Sequence, residues 1–286
     1  MSADRLLVPV ANPETADRLL ETATDLASDR DLEILVLNVV TVPMQLPLKQ
    51  ASESLDVDEN EAVVNYAVEQ AQEGGVEATG RIRFGRDVAN SVCNVADEAD
   101  AAAILLGWRG RPQRRDIVLG SYIDEVLAEA SCDVLVKRID RDYVDISSVL
   151  VPVAGGPNTA FAASVAGSLA RVHDARVELL TVVSDRDEAH VADARDLLTK
   201  TSPELGAVES VEETVREGEV LETIVDRAAD HDMTVIGAAD EGLLRRVLVG
   251  DLPETIGREV DSSVIMAKRH QGVSETLLRR VRDRLR

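Results

Sequence analysis

A glycine-rich segment in the first half of the chain has the residue types and spacing of an anion site. From Gly107 through Gly110 and Gly120 to Ser121 it reads G-x2-G-x9-G-S. Glycines let backbone N–H groups approach an anion closely, and a helix that begins at Ser121 adds its positive end and a hydroxyl donor. The segment lacks the lysine of a Walker loop, which excludes a P-loop. The structural alternative is that Ser121 and Asp124 form an S-x-x-D cap and the glycines only make turns.

The charge of this segment favours an anionic ligand. Residues 107–121 carry a net +3, because a single aspartate is set against four arginines, Arg109, Arg111, Arg114 and Arg115. The whole chain of 286 residues carries −22, from 31 basic and 53 acidic side chains. Such an acidic surface argues against nucleic acid as a general partner, since phosphate backbones need a basic face. The alternative for the arginines is a solvated loop surface.

The elements that must position this segment occur twice along the chain. LLVPV at 6–10 is matched by VLVPV at 149–153, and ILVLNVV at 34–40 by VELLTVV at 177–183. ILLG at 104–107 is matched by TVIG at 234–237, and most of the difference in spacing falls within Thr41–Asn60. The repeat predicts two copies of one domain, at residues 1–143 and 144–270, followed by a basic tail at 271–286.

Within each copy, short apolar runs alternate with helical patterns. The first copy has strand-like runs at Ile34–Val40, Glu77–Ile82, Ala103–Gly107 and Asp133–Lys137. Apolar residues recur at helical spacing at Ala16, Leu19, Leu20, Ala23, Leu26 and Ala27, and in the second copy at Phe161, Val165, Leu169 and Val172. The pattern predicts the α/β class, with two tandem doubly wound domains, each a five-stranded parallel sheet. Ligands of such sheets bind outside the carboxyl ends of the strands, where the strand order reverses.

The LLVPV opening, the glycine motif and the segment GSYIDEVLAEASCDVLVK at 120–137 resemble the universal stress protein (UspA) family over nearly the whole chain. The resemblance implies a Rossmann-like fold, a cytoplasmic location, dimer-like pairing and, in one branch, binding of ATP, which would come with Mg²⁺. It implies that the phosphates and ribose lie against Gly107, Arg109, Gly110, Gly120 and Ser121. It places adenine near the backbone of Val39 and Val40, beside Val10 and Ala11 at the end of the first strand.

The two copies depart differently from the pattern of nucleotide-binding members. Such members usually have aspartate after the V-P-V strand, where this chain has Ala11 and Ala154. The second copy also has Asp240 and Asp251 in place of Gly110 and Ser121, and its residues 237–251 carry a net −1. A phosphate would be attracted to the first loop and repelled by the second. We therefore expect an adenine nucleotide in the first domain only.

Other residue types bound the remaining possibilities. Cys93 and Cys132 lack metal-ligand spacing and are expected to be buried thiols in a reducing compartment, and the four histidines are scattered. The absence of a long apolar run or a signal-peptide pattern predicts a cytoplasmic protein with no membrane insertion. Only 4 of the 31 basic residues are lysine, which with the acid excess indicates a high-salt cytoplasm, as in a halophilic archaeon.

Three functional hypotheses follow from these features. The first is a regulatory or protective protein that binds ATP without catalytic turnover, since no residue set combines a nucleophile with a base. The alternative is an interaction module that binds no nucleotide and regulates a partner such as a membrane transporter or a stress factor. Slow ATP hydrolysis at the first loop is a third. The apolar fifth strands, at 134–137 and 264–268, are expected to pair as an internal pseudo-dimer, and a homodimer remains open.

Overall fold

The computed structural model describes residues 4–47, 50, 55, 57–109, 121–139, 145–185, 187–238 and 262–271. Gly110 and Gly120 of the predicted site lie outside these residues, as do Asp240, Asp251 and the basic tail from residue 272. For Ser121 the backbone alone is described, as the first residue of a helix.

The first domain alternates strands and helices throughout. Its elements are β1 (Arg5–Pro9), α1 (Pro13–Arg30), β2 (Glu33–Thr41), α2 (Asp58–Glu73), β3 (Ala78–Gly85), α3 (Val88–Ala99), β4 (Ala101–Trp108), α4 (Ser121–Glu129) and β5 (Asp133–Arg138). The predicted strands are all present, but each observed strand is one to three residues longer or shifted at an end. The largest difference is in β3, which continues to Gly85 because it pairs with the end of β2.

The second domain repeats this order in its described residues. Its elements are β6 (Ser148–Pro152), α5 (Pro157–His173), β7 (Arg176–Val183), α6 (Glu188–Thr201), a 3-10 turn (Ser202–Leu205), β8 (Val211–Glu217), α7 (Val220–Ala228), β9 (Met233–Gly237) and β10 (Ser263–Lys268). The link from β7 to α6 is short, whereas the corresponding link from β2 to α2 spans residues 42–57. The insertion predicted in the first copy is therefore confirmed.

All ten described strands form one sheet, in the order β3-β2-β1-β4-β5-β10-β9-β6-β7-β8. Pairing within each domain is parallel, and β5 pairs with β10 in antiparallel fashion, with Lys137 opposite Ile265. The predicted α/β class, the doubly wound domains and the pairing of the two fifth strands are confirmed. In each domain the strand order reverses between the first and fourth strands, β1 and β4 or β6 and β9.

Helices α1 and α5 cover one face of the sheet and also contact each other across the domain boundary. Every α1 residue predicted to face the core is buried. The same prediction for α5 is correct at Phe161, Val165 and Leu169 but wrong at Val172, which is 40% exposed. Small residues such as Ala162 and Ala166 are buried instead, because α5 lies against α1 as well as against the sheet.

Polar side chains join α1 to α5. Arg171 donates through Nε and Nη2 to the two carboxylate oxygens of Asp29, at 2.8 and 2.7 Å. Arg30 donates to the hydroxyls of Ser168 and Ser164 at 2.8 and 3.1 Å. Both arginines are satisfied by more than one acceptor, which suits a guanidinium that is removed from bulk water.

The cysteines are not as deeply buried as the sequence suggests. Cys93 of α3 and Cys132 before β5 are free thiols and are both half-buried. Burial together with nearby carboxylates, Glu129 for Cys93 and Asp133 for Cys132, raises the pKa of these thiols to about 11 and about 12. Neither thiol is therefore a thiolate at neutral pH, which makes both poor nucleophiles.

Candidate functional site

The carboxyl ends of β1, β2 and β4 meet at the point where the strand order of the first domain reverses. Leu7 lies opposite Ile104, and continuing this register brings Val10 level with Gly107. Val10 is buried, whereas Ala11 and Arg109 are exposed at the rim. The predicted residues that the structure describes are therefore gathered at one edge, which is where ligands of doubly wound sheets bind.

A buried asparagine fixes the end of β1 against β2. Asn38 Nδ2 donates to the Val10 carbonyl at 2.8 Å, and Asn60 Nδ2 of α2 donates to Asn38 Oδ1 at 2.8 Å. Asn38 is only 3% exposed. Sequence reasoning did not single it out, although it is the one polar residue in the run ILVLNVV. In the second domain Thr181 makes the corresponding contact to the Val153 carbonyl.

Beyond Asn38, β2 continues past the last residue pair that it forms with β1. That pair joins Pro9 to Leu37, and on the other side β2 stays paired with β3 as far as Thr41 and Gly85. Val39 and Val40 therefore present one backbone edge that no β1 residue covers in the observed register. This uncovered edge is where the sequence predicts an adenine contact.

Gly107 has a structural role at the end of β4. A Cβ at this position would lie 2.8 Å from Cδ1 of Ile139, and the Gly107 carbonyl accepts from the Tyr122 hydroxyl at 3.2 Å. The Trp108 carbonyl accepts from the Ile139 N–H at 2.8 Å. A side chain here would press on the end of the Ile139 side chain, a contact that a small shift of Ile139 relieves, so packing favours a small residue without by itself requiring glycine.

Arg109 extends from this edge towards the first turn of α1. Its Nη2 lies 3.0 Å from Oε2 of Glu14, and the two side chains are 48% and 61% exposed. Glu14 follows Pro13, the first residue of the helix, and Asn12 caps the helix by accepting from the Thr15 N–H at 2.9 Å. The edge therefore presents an exposed cation beside a helix N-terminus, two features that favour an anion.

The corresponding edge of the second domain is covered by its own helix. A Cβ on Gly237 would lie 2.7 Å from the backbone carbonyl carbon of Asn158, in the first turn of α5. The Asn158 side chain donates to the Ala238 carbonyl at 2.6 Å and accepts from the Arg269 N–H at 2.9 Å. Asn158 is 6% exposed, so the first turn of α5 packs closely over the ends of β9 and β10.

The electrostatics of the second edge also differ from those of the first. After β7, Asp185 contacts His190 Nδ1 at 2.7 Å and accepts from the Asp187 N–H at 3.0 Å. The hydrogen bond from His190 leads the effects that lower the pKa of Asp185, so this carboxylate remains charged. This carboxylate is paired with His190, whose pKa the same contact raises, so it is the acidic sequence at 240–251 that disfavours a phosphate at the second edge.

Other kinds of site find little support in the described part of the chain. A shallow depression of about 440 Å³ lies at the opposite, amino edge of β2 and β3, beside Glu33 and Thr79. Glu33 is already paired with Arg5 at 2.9 Å, and the depression holds none of the residues predicted to bind. Among the described residues no group of histidine, cysteine and acidic side chains could hold a metal ion, and no helix is long and apolar enough to cross a membrane.

The fold defines a protein built from two tandem, doubly wound α/β domains of the Rossmann-like kind. Residues 2–138 and residues 146–268 each match the universal stress protein family. The chain therefore belongs to the universal stress protein family, as a tandem form.

Two curated relatives match the chain over different lengths. It is 25% identical over 267 residues to the Na⁺/H⁺ antiporter NhaS5 of Synechocystis sp., a match that covers 91% of this chain and 38% of the antiporter. It is 26% identical over 147 residues to the universal stress protein YxiE of Bacillus subtilis, covering 47% of this chain and 99% of YxiE. The chain thus spans less than half the length of the antiporter, and YxiE matches about half of this chain.

Solved structures share the tandem fold. A universal stress protein from Archaeoglobus fulgidus DSM 4304 aligns with a TM-score of 0.68 and 19% identity, covering 94% of this chain and all of that one. The cytoplasmic domain of a prokaryotic cation chloride cotransporter aligns with a TM-score of 0.63 and 14% identity, over 93% of this chain and 95% of that one. A universal stress protein from Archaeoglobus fulgidus in complex with dAMP matches 48% of this chain and 98% of its own, with 22% identity and a TM-score of 0.39.

Proposed function

We propose that this protein is a regulatory member of its family that binds an adenine nucleotide at the carboxyl edge of the first domain only, without catalytic turnover. The observation that carries the proposal is the difference between the two edges. At the first edge Arg109 is exposed in an ion pair with Glu14, whereas at the second edge the first turn of α5 packs against Gly237 and Asn158 bonds to the ends of the strands.

Each predicted residue has a role in this proposal. The backbone at Val39 and Val40 would contact adenine, beside Val10 and Ala11 at the end of β1. The phosphates of ATP, with Mg²⁺, would lie against the segment from Gly107 to Ser121, including Gly110 and Gly120. Arg109 would supply positive charge at the rim.

A ligand that binds only the folded state stabilises that state by mass action. ATP at one hundred times its dissociation constant would add about 2.7 kcal/mol to the free energy of unfolding. The nucleotide would thereby change the stability of the first domain, and with it the surface offered to partners, without being consumed.

Exchange of one residue between the loops tests the proposal. Gly110→Asp introduces the carboxylate that the second domain carries at Asp240, and should weaken ATP binding by about tenfold or more, since a nearby carboxylate repels the phosphates. Asp240→Gly is the matched control and should leave the affinity unchanged. Isothermal titration with Mg-ATP measures both, and mass spectrometry of protein purified without added nucleotide shows whether a ligand is retained.

Two results would contradict the proposal. One is wild-type protein that retains no adenine nucleotide and shows no thermal shift with millimolar Mg-ATP. The other is a wild-type stoichiometry of two nucleotides per chain, which would place nucleotide in both domains. Release of phosphate that disappears in Gly110→Asp would instead support slow hydrolysis at the first loop.

A second candidate is an interaction module that regulates a membrane transporter. It is favoured by the match to NhaS5 over 91% of this chain. Co-purification with a transporter that persists after removal of ATP would support it, and so would a wild-type protein with no nucleotide site.

The acid excess and the scarcity of lysine further support the proposal that the protein functions in a high-salt cytoplasm.

A further inference from the structure

The second residue of the first helix contacts the exit of the fourth strand in both domains. Both helices begin with proline, Pro13 in α1 and Pro157 in α5, and their second residues are Glu14 and Asn158. Glu14 pairs with Arg109, two residues after Gly107, and Asn158 bonds to Ala238, one residue after Gly237. The second residue of the helix thus contacts the residues after the fourth strand in both domains, through an ion pair in the first domain and through a hydrogen bond to the backbone in the second.

The two contacts differ in how easily a ligand could replace them. The contact of Asn158 is buried and engages two backbone groups, the carbonyl of Ala238 and the N–H of Arg269, which a ligand would leave unsatisfied. The ion pair of Glu14 with Arg109 is exposed on both sides. Exposed pairs contribute little free energy, so either partner can exchange for another charged group at low cost.

We propose that Glu14 is a specificity-determining residue of the first edge: its carboxylate competes with the ligand's phosphates for Arg109 and so weakens the binding of the more highly charged nucleotides. The inference rests on the proposed nucleotide site and adds that this site favours nucleotides with fewer phosphate charges. A planar carboxylate and a tetrahedral phosphate can each accept two hydrogen bonds from a guanidinium. One guanidinium cannot donate two hydrogen bonds fully to both at once. The remaining negative charge of Glu14 repels ATP more than AMP.

Removal of this charge gives a measurable selectivity change. In the full chain at about 0.1 M salt without Mg²⁺, Glu14→Gln should tighten binding of ATP about fivefold and of AMP less than about twofold, the size expected of an exposed charge pair. Raising the salt to about 1 M should remove most of the gain, because the screening length falls from about 10 Å to about 3 Å. Isothermal titration of both nucleotides gives the ratio of their dissociation constants.

Two controls separate competition for Arg109 from other effects of the substitution. Glu188→Gln makes the same charge change in the first turn of α6 in the second domain and should alter neither affinity. In an Arg109→Gln background, Glu14→Gln should keep only the smaller gain that comes from removing repulsion, since no guanidinium remains to compete for. Thermal melting of each variant shows that it is folded.

The outcomes are distinguishable from failure of the proposed function. An ATP-to-AMP ratio that Glu14→Gln leaves unchanged, while the wild type binds ATP, overturns this inference alone. A gain in the Arg109→Gln background as large as in the presence of Arg109 also overturns it, because the effect would then be repulsion without competition. If neither the wild type nor Glu14→Gln binds ATP, both the inference and the proposed function are wrong.

Discussion

Replacing Arg227 with methionine is expected to lower the free energy of unfolding of the protein by about 3 kcal/mol, because it leaves a buried carboxylate without its main partner. Arg227 of α7 donates through Nε and Nη2 to Glu178 of β7, which is 1% exposed, and His231 Nε2 lies 3.3 Å from the same carboxylate. Burial raises the pKa of Glu178, but the close contact with His231 and the hydrogen bonds from Arg227 outweigh it and hold this pKa at about 2. Urea unfolding of both proteins at pH 7 measures the loss.

The first domain supplies the rescue variant. Leu35 pairs with Leu7 at the register position where Glu178 pairs with Leu150, so an apolar residue is compatible with this place in the fold. Glu178→Leu combined with Arg227→Met should therefore recover most of the stability, since replacing a whole buried pair by apolar groups costs little. Lys200→Met, which removes an exposed ion pair with Asp196, should have no measurable effect. A double variant as unstable as Arg227→Met would contradict the explanation.

The same carboxylate predicts how the wild type responds to acid. The folded-state pKa of Glu178, about 2, lies below its ordinary value of 4.5. Its contribution to stability is therefore present above pH 4.5 and is lost as the pH falls from 4.5 towards 2. The Glu178→Leu/Arg227→Met variant lacks this titration, and its stability should fall less steeply over that range.

Lys137 gives the second large expected effect, at the alkaline end. It lies in β5 beside the seam with β10, its side chain is 6% exposed, and its Nζ donates to the Arg18 carbonyl at 2.6 Å. Burial lowers its pKa from 10.5 to about 8, in spite of the nearby carboxylates Glu21 and Asp25. Between pH 8 and pH 10.5 the unfolded chain keeps a proton that the folded protein has released, so the wild type gains stability as the pH rises.

Lys137→Met removes this titration. The stability of the variant minus that of the wild type should fall by about 3 kcal/mol from pH 8 to pH 10.5, the free energy equivalent of the pKa shift. Using the difference cancels the tyrosines and cysteines, which titrate in both proteins. Lys200→Met serves as the control at an exposed lysine. A stability difference that stays constant between pH 8 and pH 10.5 would show that folding does not lower the pKa of Lys137.

The repeat made much of the fold predictable before any coordinates were available. Strands buried on both faces appear as short continuous apolar runs, and VPV and its neighbours recur in the same order in the second half, so the number and class of domains follow from local patterns. Val172 shows the limit of such reasoning. Its spacing fits the apolar face of α5, but which side of a helix is buried depends on what packs against it, and here α1 takes a second face.

The candidate site likewise has some features that the sequence predicts and others that only the structure shows. The glycine motif, the four arginines and the loss of both glycine and serine in the second copy were evident in the sequence, because backbone access and charge follow directly from residue type. Asn38, Glu14 and Asn158 were not singled out, since each matters only through a partner far along the chain.

The sequence by itself determined that one fold is used twice, that the surface is acidic, and that positive charge is concentrated in one loop of the first copy. Only the tertiary structure decided that, among the described residues, the start of α5 is bonded to the strand ends of the second edge, whereas the start of α1 makes an exposed ion pair at the first. That difference depends on where two proline-initiated helices place their second residue, which is a matter of packing between segments far apart along the chain. The buried amide of Asn158 satisfies two backbone groups that a ligand would leave without a partner. The exposed ion pair of Glu14 with Arg109 can instead be replaced by a charged ligand at low cost.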